Sequence, residues 1–299
     1  MVTSDRGRRR AGAFAAAVTV IALAGCSAPP AAPSGFDLGA ALGKVPADVS
    51  TVHGLDLPLD RSLLTPVEEL EVIKARTTLV ERCLAAHGIT YVFPAVDPVR
   101  DADKPRRHGL VDAGEAATYG YRDPSVFAAR SEAPVRRPAP PHVVSVITGT
   151  RTGEAGGRAV PPGGCAGEAD RTIAPDAKPG QEPVSFDLSN RGYEITRTTP
   201  PVTAAATQWS RCMAEAGFSY ADPDAAVNDP AFGSGRASAH EIAVATRDVR
   251  CKERAEWVRT WVGVERAVQD VLVRQHNGDV ARERQHKERQ LAVARGING

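Results

Sequence analysis

Four cysteines are the residues of this chain whose chemistry is simplest to state. Cys83, Cys165, Cys212 and Cys251 are an even number, and outside the cytoplasm such a set is expected to be oxidised to disulfides. Four cysteines allow three pairings, and their number alone does not choose among them.

Two of these cysteines lie in similar segments. Residues 83–91 and 212–220 share the pattern Cys-x-Ala-x-x-Gly-apolar-x-Tyr, and each segment is followed later by a second cysteine with acids and alanine just behind it. This repetition indicates a duplicated or convergent half. On this basis we favour the pairs Cys83–Cys165 and Cys212–Cys251.

A metal site is the alternative use of the same residues. Cys83 and His87 are four residues apart, which places them on one face if the segment is helical. However, the spacings do not match the closely paired ligands of a Cys₄ or Cys₂His₂ zinc site. We therefore expect disulfides, with no metal and no cofactor.

A fifth cysteine follows an N-terminal segment with the features of a targeting signal. Arginines precede the stretch 11–25, which is uncharged and mostly apolar and ends before Cys26. Fifteen residues are fewer than the roughly 20 that a membrane-spanning helix needs. The stretch is therefore typical of the apolar region of a signal peptide at residues 1–25.

The run Leu23-Ala24-Gly25-Cys26 resembles the lipobox of bacterial lipoproteins. In that family a diacylglyceryl group is attached to the cysteine thiol, and the signal peptide is cut just before it. The resemblance implies that Cys26 is lipidated, carries fatty acids such as palmitate, and anchors the protein to the extracytoplasmic face of the cell membrane. The alternative is a plain secretory signal with a chance cysteine.

Charge gives little reason to expect a nucleic-acid partner. The chain has 37 basic and 36 acidic side chains, and the segment after residue 25 retains 33 and 35 of them. A nucleic-acid-binding protein needs a concentrated basic face, so we expect this protein not to bind nucleic acid. The lipid, rather than charge, should hold the protein to the membrane, with the Pro/Ala-rich stretch 27–34 as a tether.

Three amphipathic helices should form the folded body. The first is predicted over 65–87, where Thr65-Pro66-Val67-Glu68 is a capping box and Gly88 is a stop. The second is predicted over 202–216, ending at Gly217. The third should run from the capping box Ser238-Ala-His-Glu241 to about Gln275, with Trp257 and Trp261 packing against the second helix rather than forming a ligand platform.

The middle of the chain, about residues 94–200, is rich in proline and glycine and predicts long irregular connections. Residues 142–148 are β-branched enough for a strand, although the preceding prolines are equally compatible with a short helix. Residues 279–294 could continue as a charged helix with few apolar anchors.

Motifs of known enzymes are incomplete here. His240-Glu241 begins like a metalloprotease helix, but Val244 stands where the second histidine is needed. Asp97, Asp101 and Asp103 cluster without the glycine and terminal glutamate of a calcium loop. We therefore predict no catalytic residues, and leave open whether the protein is an enzyme.

Two segments carry a second resemblance. Trp209 to Tyr220, of the type Trp-x-x-Cys-Met-x-x-x-Gly-Phe-x-Tyr, and Gly163 to Ala169 (Gly-Gly-Cys-Ala-Gly-Glu-Ala) are similar to a group of uncharacterised secreted proteins and lipoproteins of GC-rich Gram-positive bacteria. The likeness would cover most of residues 60–275 and implies no particular activity. The first unit departs from it, with Thr78 and Leu84 in place of the tryptophan and the methionine.

Together these features predict a mainly α protein with a few short strands, long irregular loops, disulfide-stapled helices and a degenerate internal duplication. We expect the signal peptide at 1–25, the anchor and tether at 26–60, the helical domain at 61–275 with halves of about 61–200 and 201–275, and a charged tail at 276–299. The favoured function is a non-catalytic binding or accessory module with an envelope protein or wall partner. The alternative is an anchored hydrolase or solute-binding protein with its site in the 94–200 region.

Overall fold

The computed structural model describes residues 57–94, 106–124, 138–150, 153–177, 182–233 and 235–299. These residues form ten α-helices, a 3₁₀ turn at Pro58–Ser62 and one two-stranded hairpin, in agreement with the predicted mainly α fold. The elements are α1 Pro66–Ala86, α2 Ala113–Tyr119, α3 Pro141–Thr148, β1 Glu154–Ala155, β2 Arg158–Ala159, α4 Gly164–Ile173, α5 Val184–Arg197, α6 Pro200–Ala214, α7 Pro223–Val227, α8 Ala239–Arg254, α9 Trp257–Gln275 and α10 Asn277–Asn298. Within these ranges, no helix combines the length and apolar character needed to cross a membrane.

The first predicted helix is confirmed as α1. The Glu68 backbone N–H donates to the Thr65 hydroxyl, and the Thr65 N–H donates in return to the Glu68 carboxylate at 2.8 Å. This reciprocal capping satisfies two backbone donors that the first helical turn would leave unpaired. The second predicted helix is α6, which begins two residues earlier than expected because Pro200 occupies its first position.

The repeated segments end their helices in the same way. Gly88 and Gly217 both have positive φ, at 71° and 83°. The residue after each glycine donates its N–H five residues back, from Ile89 to the Leu84 carbonyl and from Phe218 to the Met213 carbonyl. This is the hydrogen bond of a Schellman cap, which explains why both segments contain glycine at that position.

Both predicted disulfides are present. Cys83 near the end of α1 is bonded to Cys165 at the start of α4, and Cys212 near the end of α6 is bonded to Cys251 near the end of α8. The first lies in a small core formed by α1, α3, α4 and the hairpin, and the second in a core formed by α6, α8 and the segments around α2 and α7.

The third predicted helix is wrong as a single element. The chain breaks at Ala255–Glu256 into α8 and α9, and Glu256 takes the left-handed conformation at φ 47°. The break lets the two parts enter different cores, because α8 packs on α2 and α6 whereas α9 packs mainly on α5 and α6. Trp257 and Trp261 lie in the core that contains Val202 of α6, as expected for core packing.

Two undecided segments are helical. Residues 141–148 form α3 with Pro141 at its first position, which decides between the helix and the strand. The charged C-terminal segment forms α10, which packs along α1 and also contacts α4, with Ala294 clustered with Ala75 of α1 and Ile173 of α4.

Candidate functional site

A cavity of about 190 Å³ lies where α5, α7, α8, α9 and the segment 106–110 meet. Its lining combines aromatic rings with charged side chains. The lining residues are Arg106, Arg107, His108, Gly109, Leu110, Tyr121, Tyr193, Pro223, Asp224, Val227, Lys252, Trp257 and Trp261.

Arg107 and His108 are held by a buried carboxylate of α9. Glu265, fully buried, accepts from the Arg107 guanidinium and lies 3.1 Å from His108 Nε2. Gln269, one turn further on, donates to the same carboxylate and accepts from the Leu59 N–H. Burial would raise the pKa of Glu265, but the hydrogen bonds from His108 and Arg107 outweigh it and hold the pKa below its usual range.

Lys252 is a buried cation of the cavity. Its ammonium donates to Asp248 Oδ2 at 2.7 Å and to the Leu110 carbonyl at 3.1 Å, while Asp248 Oδ1 accepts from the Trp209 indole at 2.8 Å. The ammonium lies against Gly109, where an added Cβ would be only 2.8 Å from Lys252 Nζ. A glycine at 109 therefore gives the lysine its space, and its φ of +86° is one that glycine adopts readily.

Several polar atoms of the lining side chains lack hydrogen bonds. His108 Nδ1, Trp261 Nε1 and Arg106 Nε are buried without a partner in the part of the chain that the structure describes. Burial, followed by the nearby Asp248 carboxylate, raises the pKa of Tyr121, so its hydroxyl keeps its proton. Since buried polar groups are normally paired, three unpaired atoms on side chains that line one cavity make it a candidate site for a polar ligand.

The aromatic side chains form one continuous wall. The ring centroid of Trp261 is 5.1 Å from that of Trp257 and 5.0 Å from that of Tyr193. Glu256, with its left-handed backbone, directly precedes Trp257 and sets the point where this wall begins. Residues with strained backbone are concentrated at functional sites. Here the same residue also produces the break between α8 and α9.

Asp224 brings a single carboxyl to the rim of the cavity. Loss of hydration, and then repulsion from Asp222, raise the pKa of Asp224, while Arg197 and Lys252 act in the opposite direction. The other lining charges are paired, Arg106 with Glu115 and Arg107 with Glu265. The cavity as a whole is therefore close to neutral and offers several hydrogen-bond donors.

The site residues predicted from sequence that the structure describes do not line this cavity. The four paired cysteines are outside this cavity, and Cys26, the tether and Asp97, Asp101 and Asp103 fall outside the described residues. His240 and Glu241 form no metal site; Glu241 accepts from the Tyr121 N–H and from Arg122.

The sequence did contain a signal for four of the missed residues, in two pairs. Asp248 and Lys252 are one turn apart within the apolar face of α8, and Glu265 and Gln269 are likewise one turn apart within the apolar face of α9. Charged and polar residues within a buried face indicate buried networks. The segment 106–110 carried no comparable signal, because its position depends on contacts with distant helices.

Comparison with protein-family models, with curated proteins and with solved structures finds no match for this chain.

Proposed function

We propose that this protein is a lipid-anchored extracytoplasmic binding protein, which tethers itself through Cys26 and holds a small polar ligand in the cavity beside Trp257 and Trp261. The observation that carries the proposal is the concentration of unpaired buried polar atoms on the side chains that line this cavity. The ion pairs of Arg107 and Lys252 give the cavity a fixed shape, which favours binding over chemistry on those groups.

The position of the cavity bears on both hypotheses drawn from the sequence, the binding or accessory module and the anchored hydrolase or solute-binding protein. Part of its lining, residues 106–110, comes from the 94–200 region assigned to a solute-binding site. We therefore favour a small ligand over a purely structural accessory role. A wall or envelope partner would then interact with the protein by presenting this ligand to the cavity.

Thermal unfolding in the presence of small neutral and anionic compounds tests the cavity. A compound at about a hundred times its dissociation constant should stabilise the protein by about 2.7 kcal/mol and raise the melting temperature by several degrees. Val227→Trp should abolish the shift, because Val227 lines the cavity and is 44% exposed, so a larger ring there closes the entrance.

Val144→Trp is the matched control, since Val144 is 41% exposed on α3 and does not line the cavity. A ligand-induced shift that survives Val227→Trp would contradict the assignment of the cavity as the binding site.

The anchor is tested separately in cells. Cys26→Ser should move the protein from the membrane fraction into the medium, because the thiol that takes the diacylglyceryl group is lost. Unchanged membrane retention would refute lipidation at this residue and leave the cavity result standing.

A further inference from the structure

A second cluster, unrelated to the cavity, surrounds the first disulfide. Ligand atoms of Cys83, His87 and Cys165 all lie within 4.8 Å of one another. His87 and Cys165 are buried, and Cys83 is partly exposed. The cluster thus holds two sulfurs and one imidazole in a single compact group.

The orientation of His87 suits a ligand. Its Nδ1 is 2.9 Å from the Ala155 carbonyl oxygen, and because a carbonyl only accepts, Nδ1 must carry the proton. Nε2 is then left with a free lone pair. Histidines that bind metals commonly donate their other N–H to a backbone carbonyl in this way.

The hairpin fixes this orientation. A Cβ added at Gly156 would lie 2.4 Å from the His87 carbonyl oxygen, so the turn of the hairpin packs directly on the end of α1. The contact places Ala155 beside the histidine ring. The imidazole is therefore held before any ion binds.

The cluster is also accessible. An open cavity of about 330 Å³ adjoins it, lined among others by Cys83, His87, Arg158 and Glu168. A thiol reductant can approach the disulfide through this opening, which Cys83 lines. The thiolate is the form of cysteine that binds metal.

We propose that reduction of Cys83–Cys165 turns this cluster into a zinc site with two thiolates and the His87 imidazole as ligands. An external dithiol supplies the two electrons: its thiolate attacks one sulfur of the disulfide, the second thiolate resolves the mixed disulfide, and the dithiol leaves oxidised. Zn²⁺ then binds with release of two thiol protons. Water from the adjoining cavity takes the fourth position, as in sites with three protein ligands.

The second disulfide provides an internal control. The residue four positions after Cys212 is Ala216, where the first segment has His87. Cys212 and Cys251 are only 3% and 0% exposed, and no third ligand accompanies them among the described residues. A reduced second pair should therefore bind zinc weakly.

Zinc titration of the full chain against a chromophoric chelator tests the proposal. The chain carries Cys26→Ser, so that the fifth cysteine adds no thiol. After reduction with a dithiol we expect one zinc ion per chain, and the oxidised chain should bind at least a hundredfold more weakly. His87→Ala should weaken the affinity of the reduced chain at least tenfold.

Two double variants assign the site. Cys212→Ser with Cys251→Ser should keep the zinc, whereas Cys83→Ser with Cys165→Ser should lose it. Co²⁺ in place of zinc should give the intense absorption of a tetrahedral thiolate site, and far-UV circular dichroism follows folding in each sample. Equal affinity in His87→Ala, zinc retained without Cys83 and Cys165, or no stoichiometric zinc in the reduced chain would each overturn the proposal.

Discussion

The two disulfide regions use the same local sequence for different ends. In the N-terminal region, around Cys83–Cys165, the bond lies beside an open cavity and its helices are joined by the exposed ion pair Arg76–Asp170. In the C-terminal region, around Cys212–Cys251, both cysteines are buried among apolar side chains, and the residues of a buried ion pair, Lys252–Asp248, lie on either side of Cys251 in the same helix. The repeated segment encodes a helix end with a cysteine, and the surroundings decide what that cysteine does.

The largest expected difference between the regions is in their ion pairs. Lys252→Met should lower the free energy of unfolding by about 3–5 kcal/mol, because it leaves the Asp248 carboxylate buried without its cation. Arg76→Met should cost no more than about 1 kcal/mol, since the side chains of that pair are 45% and 56% exposed. Urea unfolding of both variants measures the difference, and equal costs would show that burial does not distinguish the two pairs.

The two capping motifs provide a second comparison between an exposed charged side chain and a buried one. Glu68 only completes the cap of α1 at the surface, so Glu68→Ala should cost about 0.3–1 kcal/mol. Glu241 is 1% exposed and accepts from the Tyr121 N–H and from Arg122. Glu241→Ala leaves these donors without that acceptor and should cost about 2–3 kcal/mol by urea unfolding. A cost of Glu241→Ala no larger than that of Glu68→Ala would contradict this view.

That pair of glutamates also shows how far sequence reasoning reached. Ser238 caps α8 as predicted, by accepting from the Glu241 N–H, but the Glu241 side chain turns inward instead of completing the box. A local motif determines where a helix begins, whereas the direction of one carboxylate depends on Tyr121 and Arg122, more than a hundred residues earlier in the chain.

The same limit explains the other successes and failures. Caps, proline positions and glycine stops are local, so α1 and α6 could be predicted closely, and the repeated segments indicated the disulfide pairs. The break at Glu256 was missed because the helical pattern continues through it, and only the competing cores on either side require it. The cavity was missed because five separate parts of the chain assemble it.

Reduction rates should also separate the regions. A dithiol should cleave Cys83–Cys165 at least about tenfold faster than Cys212–Cys251, because Cys83 is partly exposed whereas both cysteines of the second bond are buried. Mass spectrometry of alkylated peptides from a time course measures both rates in one sample. Simultaneous loss of the two disulfides would indicate that reduction follows global unfolding instead.

The smallest effect is expected in the pH dependence of stability, where Glu265, which holds two lining side chains, and Asp224, at the rim of the cavity, act in opposite directions. The pKa of Glu265 is lowered in the folded protein, so its contribution is present above the unfolded value of about 4.5 and is lost as the pH falls through the folded pKa. The pKa of Asp224 is raised, so its contribution is greatest below the unfolded value and is lost as the pH rises through the folded pKa.

Unfolding free energies measured between about pH 3 and pH 6 should therefore change in slope, at most about 1.4 kcal/mol per pH unit for one proton. Glu265→Gln should flatten the loss of stability at acid pH, whatever its cost at neutral pH, because the missing charge no longer takes up a proton on unfolding. Asp224→Asn should change the slope in the opposite sense. If both variants shift the slope in the same direction, the pKa values of the buried, paired carboxylate and of the carboxyl at the rim are not shifted in opposite directions, and this prediction is wrong.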